Sequence, residues 1–431
     1  MMPQGDGESG RCPWPGLSRE LMNPRIGLLQ PYPFQRLAAL TARLTPPALP
    51  PINMAIGEPR HPAPEFLAHE FGAALAGVAV YPSTRGSRPL REAIAAWFTR
   101  RYELPAQALD PDRHVLPSAG SREAITAVIQ ARIDPTVREQ PVVVMPNPFY
   151  QIYEGATLLA GAEPYYLPTG PAQGFRMDID AIPPAILART QIVLTCSPGN
   201  PTGQVLDQGD YERLLALAHQ HDFLIAADEC YAEIYADEEA PPTGLLGAAY
   251  ACGVKDFAHC VAIHSLSKRS NLPGLRFGYL GGEATFMERL LTLRTYLGSA
   301  PSQLAQLVAI PTLADEAHVR ANRAQYRVKF QDAQAILGDV IPITPPPGGF
   351  YLWLPIPGDD ETFVAGFYAQ HNVLALPGSY LSRESGGINP GAGFIRLALV
   401  GPREECREGL GRLRTYIESL ERSRDVSSSA H

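Results

Sequence analysis

Lys268 is the residue of this 431-residue chain best suited to covalent chemistry, because lysine is almost absent elsewhere. Lys255, Lys268 and Lys329 are the only lysines, so the other cationic side chains are arginines. An amine that loses its proton can form a Schiff base with a carbonyl compound, whereas arginine is effectively never deprotonated. Lys268 follows Ser265 and Ser267 and precedes Arg276. A phosphorylated carbonyl cofactor needs this combination, although a single lysine can also be a solvated side chain in a polar loop.

Three turns upstream of Lys268 carry further residues that such a site needs. Gly120, Ser121 and Arg122 stand where a helix is predicted to begin, and the amide groups of a helix N-terminus bind anions. Asn200 lies in a turn rich in proline and glycine, and Asp228 follows an apolar run. Each turn alone also fits a structural role, such as a rigid loop or a capped helix. Their order and spacing together indicate one site.

Composition limits the classes of function. The length predicts two domains, and no apolar run approaches the ~20 residues of a membrane span. A formal net charge of −8 argues against nucleic acid as a partner, because phosphate backbones bind basic surfaces. The six cysteines lack C-x-x-C spacing, which predicts reduced cytoplasmic thiols and no metal site. We therefore expect a cytoplasmic globular enzyme without a membrane or nucleic-acid partner.

The two ends of the chain differ from the rest. Residues 1–21 are rich in glycine, proline and serine and are predicted to be a disordered extension, with Met22 as an alternative start. Residues 421–431 are polar and are predicted to be a frayed tail. We expect residues 1–20 to be dispensable for both stability and activity.

The pattern between these ends predicts an α/β fold. Apolar runs at 142–145, 192–194 and 224–227 predict buried strands, and helical patterns separate them. Ligands of parallel sheets bind at the carboxyl ends of the strands, where the polar turns lie. A helical stretch from 303 to 337, interrupted by Pro311, leads to further strands near 350–354 and 394–399. We predict a large domain with a mainly parallel central sheet and flanking helices, plus a smaller α+β domain.

The predicted domain boundaries follow from this pattern. They are an N-terminal arm that forms part of the small domain at 22–65, a cofactor-binding large domain at 66–300 and a C-terminal small domain at 301–420. No internal repeat is visible.

These motifs resemble those of the class I/II aminotransferases, the pyridoxal 5′-phosphate (PLP) enzymes of fold type I. The resemblance covers roughly residues 22–420. Besides the turns above, it includes the segments Met22-Asn23-Pro24, Leu29-Gln30-Pro31-Tyr32-Pro33-Phe34, Gly57-Glu58-Pro59-Arg60-His61-Pro62, Tyr81-Pro82-Ser83-Thr84-Arg85-Gly86 and Ser265-Leu266-Ser267-Lys268-Arg269-Ser270-Asn271-Leu272-Pro273-Gly274. Within the family, these segments are most similar to the proteobacterial N-succinyldiaminopimelate aminotransferases. That likeness implies amino transfer between N-succinyl-LL-2,6-diaminopimelate and 2-oxoglutarate, in lysine biosynthesis, with glutamate as the other amino acid.

The resemblance also implies catalytic and cofactor-binding roles. Lys268 would hold PLP covalently and carry the substrate proton, and Asp228 would pair with the pyridinium nitrogen. Asn200 and Tyr231 would hydrogen-bond the ring oxygen. Tyr150 would stack on the ring, although a tyrosine there can instead be a core residue. A cis peptide bond is expected at Asn200-Pro201, which is an uncommon geometry.

The phosphate and the substrate carboxylate need their own partners. The resemblance assigns the phosphate to Gly120, Ser121, Arg122, Ser265, Ser267 and Arg276, together with Tyr81 from a neighbouring subunit. The chain would therefore be a homodimer with shared active sites. Arg396 would grip the substrate α-carboxylate beside Gly57 and Asn200, although an arginine on a strand can instead form a structural ion pair. Distal carboxylates could meet arginines in nearby loops, and the candidates are Arg60, Arg85, Arg88 and Arg269.

Two other classes of function stay open at this point. A different aminotransferase, a PLP β-lyase or a cyclopropane-forming synthase would use the same cofactor residues, because a fold does not determine a reaction. A non-catalytic PLP-binding regulator would carry a DNA-binding domain ahead of this body. Only about two dozen residues precede the body here, which is fewer than such a domain needs.

Overall fold

The computed structural model describes residues 23–134, 136 and 140–428, with side chains described as far as residue 422. The strands are β1 (Ile52–Asn53), β2 (Val115–Ser118), β3 (Val142–Asn147), β4 (Glu163–Pro168), β5 (Thr190–Cys196), β6 (Leu224–Asp228), β7 (Cys260–Ser265), β8 (Gly278–Gly282), β9 (Tyr351–Pro355), β10 (Val373–Leu374), β11 (Leu376–Pro377) and β12 (Phe394–Ala398). The helices are α1 (Pro33–Thr41), α2 (Leu67–Ala74), α3 (Arg88–Arg101), α4 (Ser121–Arg132), α5 (Ile152–Ala160), α6 (Pro184–Leu187), α7 (Gln208–His221), α8 (Leu245–Ala251), α9 (Leu266–Arg269), α10 (Ala284–Leu297), α11 (Gln303–Ala314), α12 (Ala317–Leu337), α13 (Asp360–His371) and α14 (Arg403–Ser428).

A seven-stranded sheet forms the centre of the large domain, in the order β2-β8-β7-β6-β5-β3-β4. β8 runs antiparallel to both of its neighbours, and the other adjacent pairs are parallel. The predicted strands at 142–145, 192–194 and 224–227 lie in β3, β5 and β6. One apolar core packs α4 and α5 against the sheet, and a second packs α3, α7, α8 and α11 against its other face. The prediction of a mainly parallel sheet with flanking helices is confirmed.

A smaller antiparallel sheet with the order β11-β12-β9 carries the C-terminal part of the chain. Its core combines residues of α12, α13 and α14 with residues of α1 and β1, and β1 pairs with β10 in parallel. The N-terminal segment thus packs with the C-terminal elements. No helix among the described residues is long and apolar enough to cross a membrane.

The packing of α11 shifts the proposed domain boundary. Ala305, Val308 and Leu313 of α11 belong to the core of the large domain. Pro311 lies inside α11, and the helical stretch is broken at 315–316 instead. We therefore keep the two-domain division as a proposal and move its C-terminal boundary from residue 301 to the junction of α11 and α12. Residues 1–21 lie outside the described residues, and α14 continues to Ser428, whereas the sequence predicts a frayed tail from residue 421.

The register of the sheet brings the polar turns to one edge. Cys196 of β5 pairs with Asp228 of β6, and Asp228 pairs with Ile263 of β7, so the carboxyl ends of these parallel strands lie level. Gly278 of β8 pairs with both Ser118 and Ser265, which places the start of α4 beside the turn that leads to Lys268. A Cβ atom at Gly278 would lie 2.7 Å from the Ser118 hydroxyl. The backbones approach this closely only because residue 278 is glycine.

A buried ion pair holds the beginning of α4. Arg294 of α10 is fully buried, and its Nε and Nη2 donate to the Glu123 carboxylate at 2.8 and 3.0 Å. Its Nη1 donates to the Pro117 carbonyl at 2.8 Å. Glu123 also accepts a hydrogen bond from the Ala119 amide. The pair therefore fixes the turn between β2 and α4, which borders the edge where the polar turns meet.

We expect Arg294→Met to lower the free energy of unfolding by about 3 kcal/mol, because removing one partner leaves the Glu123 carboxylate without its counter-charge. Urea unfolding at a fixed protein concentration measures this loss. Arg289→Met is the matched control, since Arg289 is exposed on the same helix, and should stay within about 0.5 kcal/mol. Equal stability of the two variants would contradict the structural role of the pair.

Candidate active site

A cavity of about 320 Å³ lies at the carboxyl edge of the large sheet, between the large sheet and the C-terminal elements. Its size suits a small cofactor and a substrate. Most residues predicted from the sequence line it: Gly57, Ser121, Arg122, Tyr150, Asn200, Asp228, Tyr231, Ser265, Ser267, Lys268, Arg276 and Arg396. Gly120 lies against Arg276 at the cavity border, and Tyr81 does not reach the cavity.

Lys268 lies in the short helix α9, whose first turn is capped by Ser265. The side chain is partly buried, and its Nζ donates a hydrogen bond to the carbonyl oxygen of Gly57 at 2.8 Å. Loss of hydration lowers the pKa of the Lys268 amine to about 8, which favours the neutral form of the amine over its ordinary state. The neutral amine is the form that attacks a carbonyl group or accepts a proton.

Asp228 ends β6 and is nearly inaccessible to solvent, at 4% exposure. Its Oδ2 accepts a hydrogen bond from the Tyr153 hydroxyl at 2.7 Å, and its Oδ1 accepts one from the Cys230 amide at 3.2 Å. Such donors hold the carboxylate in one orientation. Tyr153 was not among the residues predicted from the sequence. The sequence feature that could have identified Tyr153 is its spacing from Tyr150, because residues three apart at the start of a helix share a face.

Tyr231 and Tyr351 meet across the cavity wall, with their hydroxyl oxygens 3.0 Å apart. Burial raises the pKa of the Tyr231 phenol, so the group stays protonated and can donate a hydrogen bond. Tyr351 was also not predicted as a site residue. A Cβ atom at Gly57 would lie 2.0 Å from the Tyr351 hydroxyl, so only glycine fits where this backbone meets Lys268.

Arg396 projects from β12 and is buried, at 4% exposure. Its Nη1 donates to Asn200 Oδ1 at 2.9 Å, and its Nη2 donates to the Ala55 carbonyl at 2.7 Å. Its Nε is buried without a hydrogen-bond partner, and Arg396 makes no ion pair in the part of the chain that the structure describes. The guanidinium therefore has donor capacity left for an anion in the cavity. The peptide bond between Asn200 and Pro201 is cis, as predicted.

The other end of the cavity has the character of an anion site. Gly120 has a φ of +93°, and a Cβ atom there would lie 2.4 Å from Arg276 Nη2, so this turn requires glycine. The first amides of a helix such as α4 have no partners within the helix. The hydroxyls of Ser265 and Ser267 are 2.9 Å apart on the same side. Amides, hydroxyls and a guanidinium fit a phosphate group.

The residues present fit PLP. The phosphate site, the Lys268 amine and the Asp228 carboxylate surround one cavity, and an aromatic ring, Tyr150, lies along its wall. Arg122 donates a hydrogen bond from its Nε to the Tyr150 hydroxyl at 3.1 Å. A carboxylate opposite a phosphate site suits a cofactor that carries an anion at one end and a protonated ring nitrogen at the other.

The four arginines considered for distal carboxylates do not line the cavity. Arg269 is buried and donates to the Thr312 carbonyl and to the Glu316 carboxylate, away from its neighbour Lys268. Successive residues of a helical turn point in different directions, so only one of the two can face the cavity. The other three form contacts elsewhere: Arg60 with Glu405, Arg85 with the Asp112 carbonyl, and Arg88 with Glu92 and Asp112.

Tyr81 is fully exposed on the surface of the single chain. It follows the exposed apolar residues Leu75, Val78 and Val80, and the exposed Tyr296 belongs to α10. An isolated subunit seldom exposes so many apolar side chains along one stretch unless they meet a partner. The role of Tyr81 at a neighbouring site therefore stays a prediction.

Known proteins resemble this chain over nearly its whole length. It is 39% identical to an aminotransferase from Neisseria meningitidis of known structure, with a TM-score of 0.87 over 93% of this chain and 100% of the other. Aminotransferase AspB from Helicobacter pylori is 31% identical, with a TM-score of 0.83 over 90% of this chain and 99% of the other. An LL-diaminopimelate aminotransferase from Dehalococcoides mccartyi is 31% identical over 92% of this chain and 99% of its own.

The family match agrees with the geometry of the cavity. Residues 50–413 match the model of the family Aminotransferase class I and II. That range contains the amine, carboxylate and guanidinium groups that surround the cavity. The structural neighbours have the fold type I architecture predicted from the sequence. This chain belongs to the class I and II aminotransferases, a family of transaminases that use PLP as their cofactor.

Proposed function

We propose that this chain transfers an amino group between a diaminopimelate-type amino acid and 2-oxoglutarate, with Lys268 as the residue that holds PLP. The observation that carries the proposal is the cavity itself, in which Lys268, Asp228 and Arg396 face one space. Bound PLP supplies an electron sink for the charge that remains when a proton leaves the α-carbon of the substrate. The protein supplies binding, orientation and proton transfer.

The cofactor-binding roles follow from the donors around the cavity. The amides of Gly120, Ser121 and Arg122 would hold the phosphate, together with the Ser265 and Ser267 hydroxyls and the Arg276 guanidinium. Asp228 holds the proton on the ring nitrogen, and its orientation is supported by the hydrogen bond from Tyr153. Asn200 Oδ1 accepts from Arg396, so its NH2 group is left to donate toward the ring oxygen beside Tyr231. Tyr150, which lines the cavity, would stack on the ring.

Lys268 has two tasks in this proposal. It would hold the cofactor covalently, and as a free amine it would accept the proton of the substrate α-carbon at its Nζ and donate it again as a general acid. A pKa near 8 suits this exchange, because the amine gains and loses a proton near neutral pH. The hydrogen bond to Gly57 keeps the amine at the wall of the cavity.

Arg396 binds the α-carboxylate of the substrate. A guanidinium offers two parallel donors to a carboxylate, and Arg396 is held in place by Asn200 and by the Ala55 carbonyl. The absence of a side chain at Gly57 lets the Tyr351 hydroxyl pack against the backbone beside this site. This end of the cavity would accept glutamate and the diamino substrate in turn, since both carry the same α-amino acid group.

We propose the N-succinyl derivative of LL-diaminopimelate as the substrate, on the similarity of the segments at 22–34, 57–62, 81–86 and 265–274. The names of relatives support the diaminopimelate skeleton, because LL-diaminopimelate aminotransferases from Dehalococcoides mccartyi and Desulforudis audaxviator are each 31% identical to this chain.

Free LL-diaminopimelate is the second candidate, and Glu58 favours it. Glu58 lines the cavity, and none of the four distal arginine candidates does. The far end of free diaminopimelate carries an ammonium group beside its carboxylate, and a protein carboxylate attracts that ammonium group. The far end of the succinylated form carries only carboxylates and a neutral amide, which a carboxylate does not favour.

The proposal includes a homodimer in which Tyr81 of the partner subunit reaches the phosphate of PLP. Exposed apolar side chains around Leu75, Val80 and Tyr81 support an interface there. We also propose a cytoplasmic location, and free thiols at the described cysteines are consistent with a reducing compartment.

Borohydride reduction of the holoenzyme, followed by peptide mapping, should place the pyridoxyl group on Lys268. The control is Lys255, which is exposed and lies outside the cavity. Lys268→Ala should bind PLP without covalent attachment and lose nearly all turnover. Label on Lys255 or Lys329 would contradict the proposed role of Lys268.

The substrate is tested by comparing kcat/KM for N-succinyl-LL-diaminopimelate and LL-diaminopimelate, with 2-oxoglutarate as acceptor. We expect the succinylated form to be preferred by roughly 100-fold, which is within the range that differences in pocket contacts produce. Glu58→Gln should not lower kcat/KM for the succinylated form. A higher kcat/KM for the free diamine would favour the second candidate. In that case Glu58→Gln should lower kcat/KM for the free diamine about fivefold, and Glu65→Gln should not lower it.

Subunit mixing tests the shared site. A Tyr81→Phe subunit that keeps Lys268 is mixed with a Lys268→Ala subunit that keeps Tyr81. The hybrid dimer then has one site with both natural residues and one with neither. We expect the mixture to gain sites that bind PLP covalently with the natural affinity, because only the hybrid combines Lys268 with the Tyr81 phosphate contact in one site. Full affinity and activity of the Tyr81→Phe homodimer would refute the shared site.

A further inference from the structure

A chain of buried polar contacts begins at Lys329, one of only three lysines in the sequence. Lys329 lies in α12 and is 2% exposed. Its Nζ is 2.6 Å from Nε2 of His61 and donates to the carbonyl oxygens of Leu399, at 2.9 Å, and Gly401. An ammonium group has three N–H donors, and Lys329 thus has one acceptor for each. A bulkier planar guanidinium would not fit three acceptors arranged around one nitrogen.

The chain continues from His61 to the main chain at Lys268. The Nδ1 atom of His61 is 2.7 Å from Oδ1 of Asn322, also in α12. The Nδ2 group of Asn322 donates to the carbonyl oxygens of Lys268 and Arg269, each at 3.3 Å. Asn322 thereby contacts the backbone of the residue that is proposed to hold the cofactor.

The direction of every hydrogen bond in this chain follows from its ends. Carbonyl oxygens only accept, so the amide of Asn322 must point its NH2 toward Lys268 and Arg269 and its oxygen toward His61. His61 must then carry its proton on Nδ1, which leaves Nε2 to accept from Lys329. Burial lowers the pKa of His61, in agreement with a neutral ring. A second proton on His61 would face the ammonium of Lys329.

These contacts close a ring around Lys268. His61 and Gly57 lie on the same short segment after β1, and Gly57 accepts the hydrogen bond from the Lys268 amine. Asn322 holds the main chain of Lys268 at the other end. The amine and the backbone of one lysine are therefore both tied to the segment at 57–61. That segment also borders Arg396, through the carbonyl of Ala55.

We propose that His61, Asn322 and Lys329 are positioning residues. They hold Lys268 in its position relative to Gly57 and to the substrate carboxylate at Arg396. The inference rests on the proposed role of Lys268. The three residues touch neither cofactor nor substrate, because none of them lines the cavity. They act through the donor that His61 presents to Asn322. Asn322 Oδ1 also accepts a hydrogen bond from the Asn271 amide at 3.1 Å, so losing the His61 donor loosens the turn at Lys268 without releasing it, and leaves the contacts of Arg396 in place.

Two substitutions of His61 separate its two hydrogen bonds. His61→Asn retains an N–H near the position of Nδ1 and can still donate to Asn322, but it does not reach Lys329. His61→Gln places an oxygen near the position of Nε2 and can still accept from Lys329, but it lacks the donor to Asn322. Both remove the imidazole ring from its contact with Tyr326, so a general loss of packing affects them alike.

The single-turnover rate with glutamate is measured for each holoenzyme, together with the pH midpoint of the visible absorbance of the cofactor and the melting temperature. We expect His61→Gln to lose roughly 10-fold or more in rate with little change in the glutamate concentration for half-saturation, and to shift the midpoint. The rate of His61→Asn should stay within about threefold of the natural rate, and its midpoint should not change. This variant keeps the donor to Asn322, so it should not displace the reacting amine, and such displacements are what lower the rate. His69→Gln is the control for loss of a histidine elsewhere, because the His69 side chain is exposed.

Asn322→Asp keeps the test decisive if a His61 variant does not fold. Its carboxylate can still accept from His61 but turns an oxygen toward the carbonyls of Lys268 and Arg269, so it should behave as His61→Gln does. Equal rates in all variants, or rate losses that follow the melting temperature with no shift in midpoint, would overturn the positioning role. Borohydride labelling of the same preparations separates the two proposals. An unlabelled Lys268 in the natural enzyme contradicts the proposed function, whereas a labelled Lys268 with unaltered kinetics contradicts only this inference.

Discussion

The hydrogen bond between the Lys268 amine and the Gly57 carbonyl is the contact on which the arrangement of the site depends. It joins the end of the large sheet to the segment that follows β1, so it forms only when the two cores pack against each other. Partial burial makes the amine less basic than an exposed lysine. A lysine of this kind exchanges its proton near neutral pH, which an exposed lysine on a loop would not do.

Close approach of backbones decides where glycine is required. At Gly57 any side chain would collide with Tyr351, at Gly120 with Arg276, and at Gly278 with the turn around Ser118. Each of these positions borders the cavity or the strands that lead to it. Removing a Cβ atom lets main-chain groups and charged side chains meet at distances that set the size of the cavity. The glycines are therefore part of the site, although they carry no functional group.

Arginine and lysine side chains have different roles in this chain. Arg294 and Arg269 are buried and satisfied largely by carbonyl oxygens and single carboxylates, so they brace turns. Arg396 lines the cavity and donates there to Asn200 Oδ1 and to the Ala55 carbonyl. The two buried or partly buried lysines, Lys268 and Lys329, are linked through His61 and Asn322. The guanidinium of arginine is permanently charged and planar, so it suits fixed contacts with anions and carbonyl oxygens. The compact amine of lysine suits proton exchange or contact with three converging acceptors.

Much of the fold and of the site was predictable from local sequence. Apolar runs identified β3, β5 and β6, and the turns that follow parallel strands must share one edge, so Asn200, Asp228 and Lys268 could be placed together. Other features depended on packing. Tyr153 and Tyr351 reach Asp228 and Tyr231 from elements distant in the chain, and α11 joined the large core despite its place after residue 301. Arg269 turned away from the cavity because its neighbour Lys268 faces it. Residue types and spacing determined the chemistry available to this protein. The tertiary structure alone decided which side chains support it, because helix faces and contacts between domains depend on how the cores meet.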